Sequence, residues 1–196
     1  MFTVKGGFFV GRIAATLILL SFYSLYIAKI LIQKKQAIRT NQMGKGNKPA
    51  KVLRIEQLTM GATILQCAVS IASILWAVPQ ENKGLRLTGM LMGIAAIAFF
   101  GAAIITMKTS WRVGIPEEKT TLITKGIYRI SRNPAFVGFD LLYLSLCLLL
   151  PGLPLILSSL LAAGMLHLQI LQEESHLTRV FGEAYEGYCK HTRRYL

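Results

Sequence analysis

Residues 135–171 read AFVGFDLLYLSLCLLLPGLPLILSSLLAAGMLHLQIL. Two apolar runs, about 135–150 and 155–171, flank Pro151-Gly152-Leu153-Pro154, an uncharged turn signal. Asp140 is the one acidic or basic side chain in the stretch, His167 aside. A helix needs roughly 20 apolar residues to cross a hydrocarbon core of about 30 Å. These runs approach that length without alternating polar positions, so they predict a short transmembrane helical hairpin.

Working outward, three further spans are predicted. The first covers about 8–32, with Arg12 and Lys29 near its ends, where long side chains can snorkel. The second covers 58–78 and the third 87–107. The first is too long for a signal peptide, with no clear small-residue cleavage site before Lys34-Lys35, and is expected to be retained. Hydrophobic residues make up 53% of the chain and charged residues 16%. Soluble domains carry about 25% charge, so a water-soluble fold and a disordered chain are both excluded. No alternating stretch supports a barrel. The predicted fold class is an all-α integral membrane protein with five transmembrane helices. Residues 1–107 form three of them with a basic loop, and 108–196 form the rest, as one integrated domain.

The net charge is +13, and its placement decides its meaning. The connections after spans one and three, together with the C-terminal segment, carry most of the lysines and arginines; the intervening connections carry Lys83 and Arg86 or none. Five spans satisfy this with the N-terminus outside and the C-terminus cytoplasmic. The charge is therefore read as topology signal and attraction to anionic membrane lipids, not as a nucleic-acid surface. The small size without added domains points to a bacterial or archaeal cell membrane. Gly89 and Gly93 have close-packing spacing, read as packing within one chain, hence a monomer. Cys67, Cys147 and Cys189 are widely separated, and the three histidines lack zincin spacing, so no metal site is expected.

The unusual polarity lies after residue 108. Gly126-Ile127-Tyr128 and Asn133-Pro134 are turn signals. Pro134 suits the first turn of the fourth helix, Asn133 its cap, and the free N–H groups there could hold an anionic group. Farther on, Gln169, Glu173 and His176 share a helix face, and Leu177, Val180, Phe181, Tyr185 and Tyr188 continue as an apolar stripe. Asp140 sits two turns into the fourth span, where an ionisable group is costly and faces either the bundle interior or the interface. No phosphate-binding loop or nucleophile elbow is present, and Gly44-Lys45-Gly46 lacks the strand a dinucleotide fold needs.

Two strings carry a family resemblance. LITKGIYRISRNPAFVG (122–138) resembles the pattern L-V-x-x-G-[IV]-Y-x-x-x-R-H-P-x-Y-x-G, and EESHLTRVFGEAYEGY (173–188) resembles E-E-x-x-L-x-x-x-F-G-x-x-Y-x-x-Y. Both belong to the isoprenylcysteine carboxyl methyltransferases and related membrane phospholipid methyltransferases. The resemblance runs from Trp111 to Leu196 and implies a cytoplasmic cofactor-binding loop, a C-terminal cytoplasmic helix and S-adenosylmethionine as cofactor. By position, the cofactor pocket would use Thr120, Thr121, Leu122, Ile123, Tyr128, Asn133, Pro134, Ala135, Phe136 and Glu173. Arg132 belongs to the same motif and, with Asp140, is a catalytic candidate.

Three positions depart from the pattern. Asn133 replaces His and keeps a hydrogen-bonding group but cannot titrate. Phe136 replaces Tyr and loses a hydroxyl. Gln169 stands where the carboxyl methyltransferases carry an Arg for the substrate carboxylate, and an amide cannot replace a guanidinium fork. Either Arg112 or Arg132 supplies that charge, making Gln169 and Arg112 the substrate candidates, or the acceptor is not a carboxylate. The implied function is methyl transfer to a lipophilic substrate at the cytoplasmic membrane face. The alternatives are a phospholipid amine N-methyltransferase, in which Asp140 pairs with a cationic amine, and a non-enzymatic scaffold with a degenerate site.

Overall fold

The computed structural model describes residues 2–116 and 121–196. Six α-helices follow one another: α1 (Phe2–Lys35), α2 (Ala50–Trp76), α3 (Lys83–Met107), α4 (Pro134–Leu149), α5 (Leu153–Phe181) and α6 (Glu183–His191). Short 3-10 turns occupy Lys108–Ser110 and Gly126–Arg129. Among the described residues no strand forms, only isolated bridges pairing Asn41 with Val113 and Ser131 with Arg193.

Local chemistry sets the helix ends. The Asn82 side chain accepts from the Leu85 amide at 3.1 Å and caps α3. Pro134 occupies the first turn of α4, and Pro151 follows its end. Gly182, at φ +52° and ψ −129°, takes a positive-φ conformation open to glycine, which ends α5 and lets α6 turn away. The apolar stripe predicted to run on to Tyr188 is therefore split between two helices.

Helices α1, α2, α3 and α5 are long and apolar enough to cross a membrane, and α4 is a shorter apolar helix. The chain is thus an all-α, multi-pass integral membrane protein. At about 1.5 Å per residue, the 16 residues of α4 rise about 24 Å, less than a hydrocarbon core. The fifth span is longer than its apolar run suggested. Its 29 residues form one uninterrupted helix, because nothing between Leu155 and Phe181 breaks it and its polar end finds partners.

Lipid tails are as apolar as leucine, so helix association rests on close packing and interhelical hydrogen bonds. The α3–α4 contact is the most extensive in the bundle. Gly89 lies against Leu148 and Leu149, Gly93 against Ile18 and Ser145, and Gly138 against the α3 backbone at Ala96 and Phe100. The small-residue spacing is thus used within the chain. Phe22 and Phe100, fully buried with ring centroids 4.5 Å apart, centre an aromatic cluster with Tyr26, Phe139 and Trp111. Helix α2 leans instead on α5, where Thr59 donates to the Met165 carbonyl at 3.2 Å and Gln66 to Ser159 at 3.3 Å. Helices α1 and α2 scarcely touch.

A side chain at position 138 would meet α3 backbone at 3.1 Å. Gly138→Leu should separate α3 from α4 and cost about 1–3 kcal/mol or more, read as a lower thermal midpoint in detergent. An unchanged midpoint would show that the two backbones do not depend on this close approach.

Candidate active site

The polar connections gather at the end of the bundle that carries most of the basic residues. Gln33, 1% exposed on α1, donates to the Trp111 carbonyl at 3.1 Å and accepts from Thr40 at 2.8 Å. The Gln42 amide donates to the Val113 carbonyl and the Val113 amide to Thr40, at 2.9 and 3.0 Å. Glu56, fully buried on α2, accepts from the Gly44 amide at 2.8 Å, the Ile115 amide at 2.9 Å and the Lys48 ammonium at 2.8 Å. A carboxylate can occupy such a site because charged and backbone donors surround it. Together these bonds clamp residues 111–115 to the first two helices. Gly114, at φ +85°, leaves room for the Glu56 carboxylate, since a Cβ there would approach it to 3.0 Å.

A second buried carboxylate organises the other side. Glu174 on α5 accepts from Arg132 Nη2 at 3.1 Å, Asn133 Nδ2 at 3.0 Å and Arg194 Nη2 at 2.8 Å. Arg132 also donates to the Cys189 and Thr192 carbonyls. One carboxylate therefore ties the segment before α4, helix α5 and the C-terminal strap, residues 192–196, together. Asn133 precedes α4 as expected but does not cap it with its side chain. The charged acceptor on α5 and the Arg194 carbonyl take its amide instead.

Between the two clamps lie two adjoining cavities. The smaller, about 120 Å³, is lined by Thr121, Leu122, Ile123, Tyr128, Arg132, Asn133, Glu173, Tyr185 and Tyr188, among others. The larger, about 550 Å³ and mostly apolar, is lined by α1, α2, α4 and α5, including Tyr23, Tyr26, Phe139, Leu166 and Gln169. Both are walled by Trp111, Arg112, Ala135, Phe136 and Glu173. Tyr128 is buried, and burial first, then the Glu173 charge, holds its phenol above the ordinary range. Its carbonyl accepts from Tyr188 Oη at 2.5 Å. Burial pushes the Tyr188 hydroxyl up to about 12. Both phenols therefore stay protonated and can donate.

Of the residues singled out from sequence, Thr121, Leu122, Ile123, Tyr128, Asn133, Ala135, Phe136 and Glu173 meet around the smaller cavity, with Arg112 and Arg132. Gln169 lines the larger one. Pro134 and Asp140 are not among the residues lining either. Asp140 is half-buried, with Oδ1 lacking a hydrogen-bond partner, and its charge adds to burial in raising the Tyr195 phenol. Thr120 lies outside the described residues. Among the described residues no three His, Cys, Asp or Glu side chains group as metal ligands. Sequence reasoning missed Gln33, Glu56 and the hub role of Glu174. Glu56 lies only two residues before the second predicted span, and that placement was its one signal.

The sequence profile of the phospholipid methyltransferase family matches residues 85–184, about half of the chain. The chain belongs to the phospholipid methyltransferase family. Comparison with curated proteins found no match. The protein is accordingly a membrane methyltransferase by family. The match includes every residue named at the smaller cavity except Tyr185 and Tyr188. The α1 and α2 walls of the larger cavity lie outside it.

Removing the hub carboxylate leaves Arg132 without its ion pair in a place where its side chain is 12% exposed. Glu174→Ala in this family member should cost about 2 kcal/mol or more, discounted from a fully buried pair because Arg194 is partly solvated. Loss of the strap should appear as faster proteolysis near residue 190. A variant that melts and digests like wild type would remove Glu174 from this role.

Proposed function

We propose that the protein transfers the methyl group of S-adenosylmethionine to the head-group amine of a membrane phospholipid, at the seam where the two cavities meet. The observation that carries this reading is the shared wall: Trp111, Arg112, Ala135, Phe136 and Glu173 face a smaller, more polar hollow on one side and a larger, strongly apolar one on the other. A charged nucleoside donor and a lipid need such unlike surroundings side by side. The basic end of the bundle is read as cytoplasmic.

The polar hollow fits the donor's chemistry. Tyr185, which bonds Cys189, lines it, and Tyr128, Asn133 and Thr121 add further polar groups. Glu173 would hold the positive end of the cofactor. Bound S-adenosylmethionine supplies an electrophilic methyl carbon on a sulfonium. The chain's own part is to align the acceptor opposite that carbon and exclude water. Trp111, Ala135 and Phe136 form the dry part of the shared wall. Arg132, engaged by Glu174, contributes fixed positive charge rather than a moving proton.

Gln169 favours an amine acceptor. Its Nε2 donates to Glu173 Oε1 at 3.0 Å. When Glu173 is ionised it only accepts, and the amide then turns its N–H₂ toward it. Oε1 of Gln169, 1% exposed, is left without a partner beside the larger cavity. That oxygen suits an N–H donor and repels a carboxylate. Glu173 is the carboxylate among the residues lining the two cavities, and it would receive the amine's proton. Arg112, on the shared wall, suits the lipid phosphate. The same guanidinium favours a second reading, a prenylcysteine carboxylate acceptor. Alkali distinguishes the products, because methyl esters release methanol and N-methyl groups do not.

Purified protein should bind S-adenosylhomocysteine at micromolar strength, and Glu173→Ala should weaken this at least tenfold, about 1.4 kcal/mol. Unaltered affinity in the variant would take Glu173 out of the site; no binding by wild type would count against the enzyme. Methyl transfer to any lipid extract excludes a mere scaffold. Gln169→Arg should lower amine methylation about tenfold at unchanged cofactor affinity; equal or higher amine methylation would reject the selectivity argument.

A further inference from the structure

We propose that the gap between α1 and α2 is a lateral portal through which one aliphatic chain of the methyl-accepting lipid slides from the bilayer into the larger cavity. This rests on the reading above only for the lipid's role as substrate. The portal is built from helices outside the family match.

Helix α2 presents two unlike faces. Thr59, Ala62, Gln66 and Ser70 are buried, and Thr59 and Gln66 bond across to α5. Met60, Ile64, Ala68 and Ile71 form the neighbouring face, and all four line the larger cavity. In a sealed chamber such residues would be hidden. Here Met60, Ile64 and Ile71 are 38%, 63% and 50% exposed, so the cavity opens outward along α2. Tyr23 and Tyr26 of α1 stand on the cavity wall as well. Helix α1 packs on α3 and α4, and α2 packs on α5, leaving the α1–α2 seam thinly closed, with Tyr23 and Cys67 as its polar pair.

The occupant follows from the surroundings. The exposed face lies along a membrane-crossing helix, so what reaches it is hydrocarbon. A lipid chain moving from bilayer to cavity exchanges one apolar contact for another and meets no desolvation barrier. The cavity volume falls in the range that encloses a single elongated ligand. Its polar end coincides with Arg112, Gln169 and Glu173, so an inserted chain leaves its head group at the shared wall. The polar seam between α2 and α5 makes the opposite side of α2 a closed one.

The chain's two tryptophans are Trp76 and Trp111, and Trp111 lines the cavity. In a Trp76→Phe background, phosphatidylethanolamine brominated along its chains should quench Trp111. Adding Ile64→Phe with Ala68→Phe should narrow the portal. Quenching should then fall by at least half, and the ratio of KM for dioleoyl to dihexanoyl phosphatidylethanolamine should rise about tenfold. S-adenosylhomocysteine affinity, staying within about twofold, reports that the variant is folded. Ile94→Phe, at an exposed site on α3, is the control and should change neither readout. Full quenching with an unchanged KM ratio would overturn the portal, as would an equal rise in both KM values. If no lipid accepts a methyl group while quenching behaves as stated, the proposed function falls and the portal stands.

Discussion

The site depends on a carboxylate held where water cannot solvate it. Glu174 sits at 8% exposure and compensates by drawing in two guanidinium groups and an amide. The donors arrive from two stretches: Arg132 and Asn133 from the segment before α4, Arg194 from the strap after α6. Charge-assisted hydrogen bonds of this kind are short and directional. They fix the approach of three segments that share no apolar core of their own. Arg132 and Asn133 of that knot also line the smaller hollow.

Glu56 does the same on the opposite wall, with backbone amides in place of most of the charge. Gln33 assists by giving its amide to the Trp111 carbonyl. The first two helices thereby hold the Trp111–Ile115 segment, whose first two residues separate the cavities. This explains why a site whose recognisable motifs lie after residue 120 still needs the N-terminal half. Two buried carboxylates on different helices make a frame, and the seam between the two cavities is set across it.

Within the bilayer the forces differ. Apolar faces gain nothing by leaving lipid for protein, so the helices meet where backbones approach closely or polar groups find each other. Glycines join α3 to α4, and Thr59 and Gln66 join α2 to α5. Between α1 and α2 contact is sparse, with Tyr23 and Cys67 as a polar pair across the seam, and the hydrocarbon-lined cavity lies along it.

The membrane spans, the hairpin and the paired motifs around residues 122–138 and 173–188 were legible in the chain. Twenty-residue hydropathy and turn chemistry are local properties, and each span meets them alone. Residues 121–123, Tyr128, Asn133 and Glu173 could be grouped because their motifs keep a fixed order around the hairpin. The side-chain role of Asn133, the splitting of the apolar stripe at Gly182 and the placement of Asp140 away from both cavities were not legible. Each depends on what another segment brings to the same spot. A sequence states that Glu56, Glu174 and Gln33 are polar, but not which backbone amides and guanidinium groups will surround them. Long-range pairing decides whether a buried charge is a cost or a fastening, and only the folded bundle sets those distances.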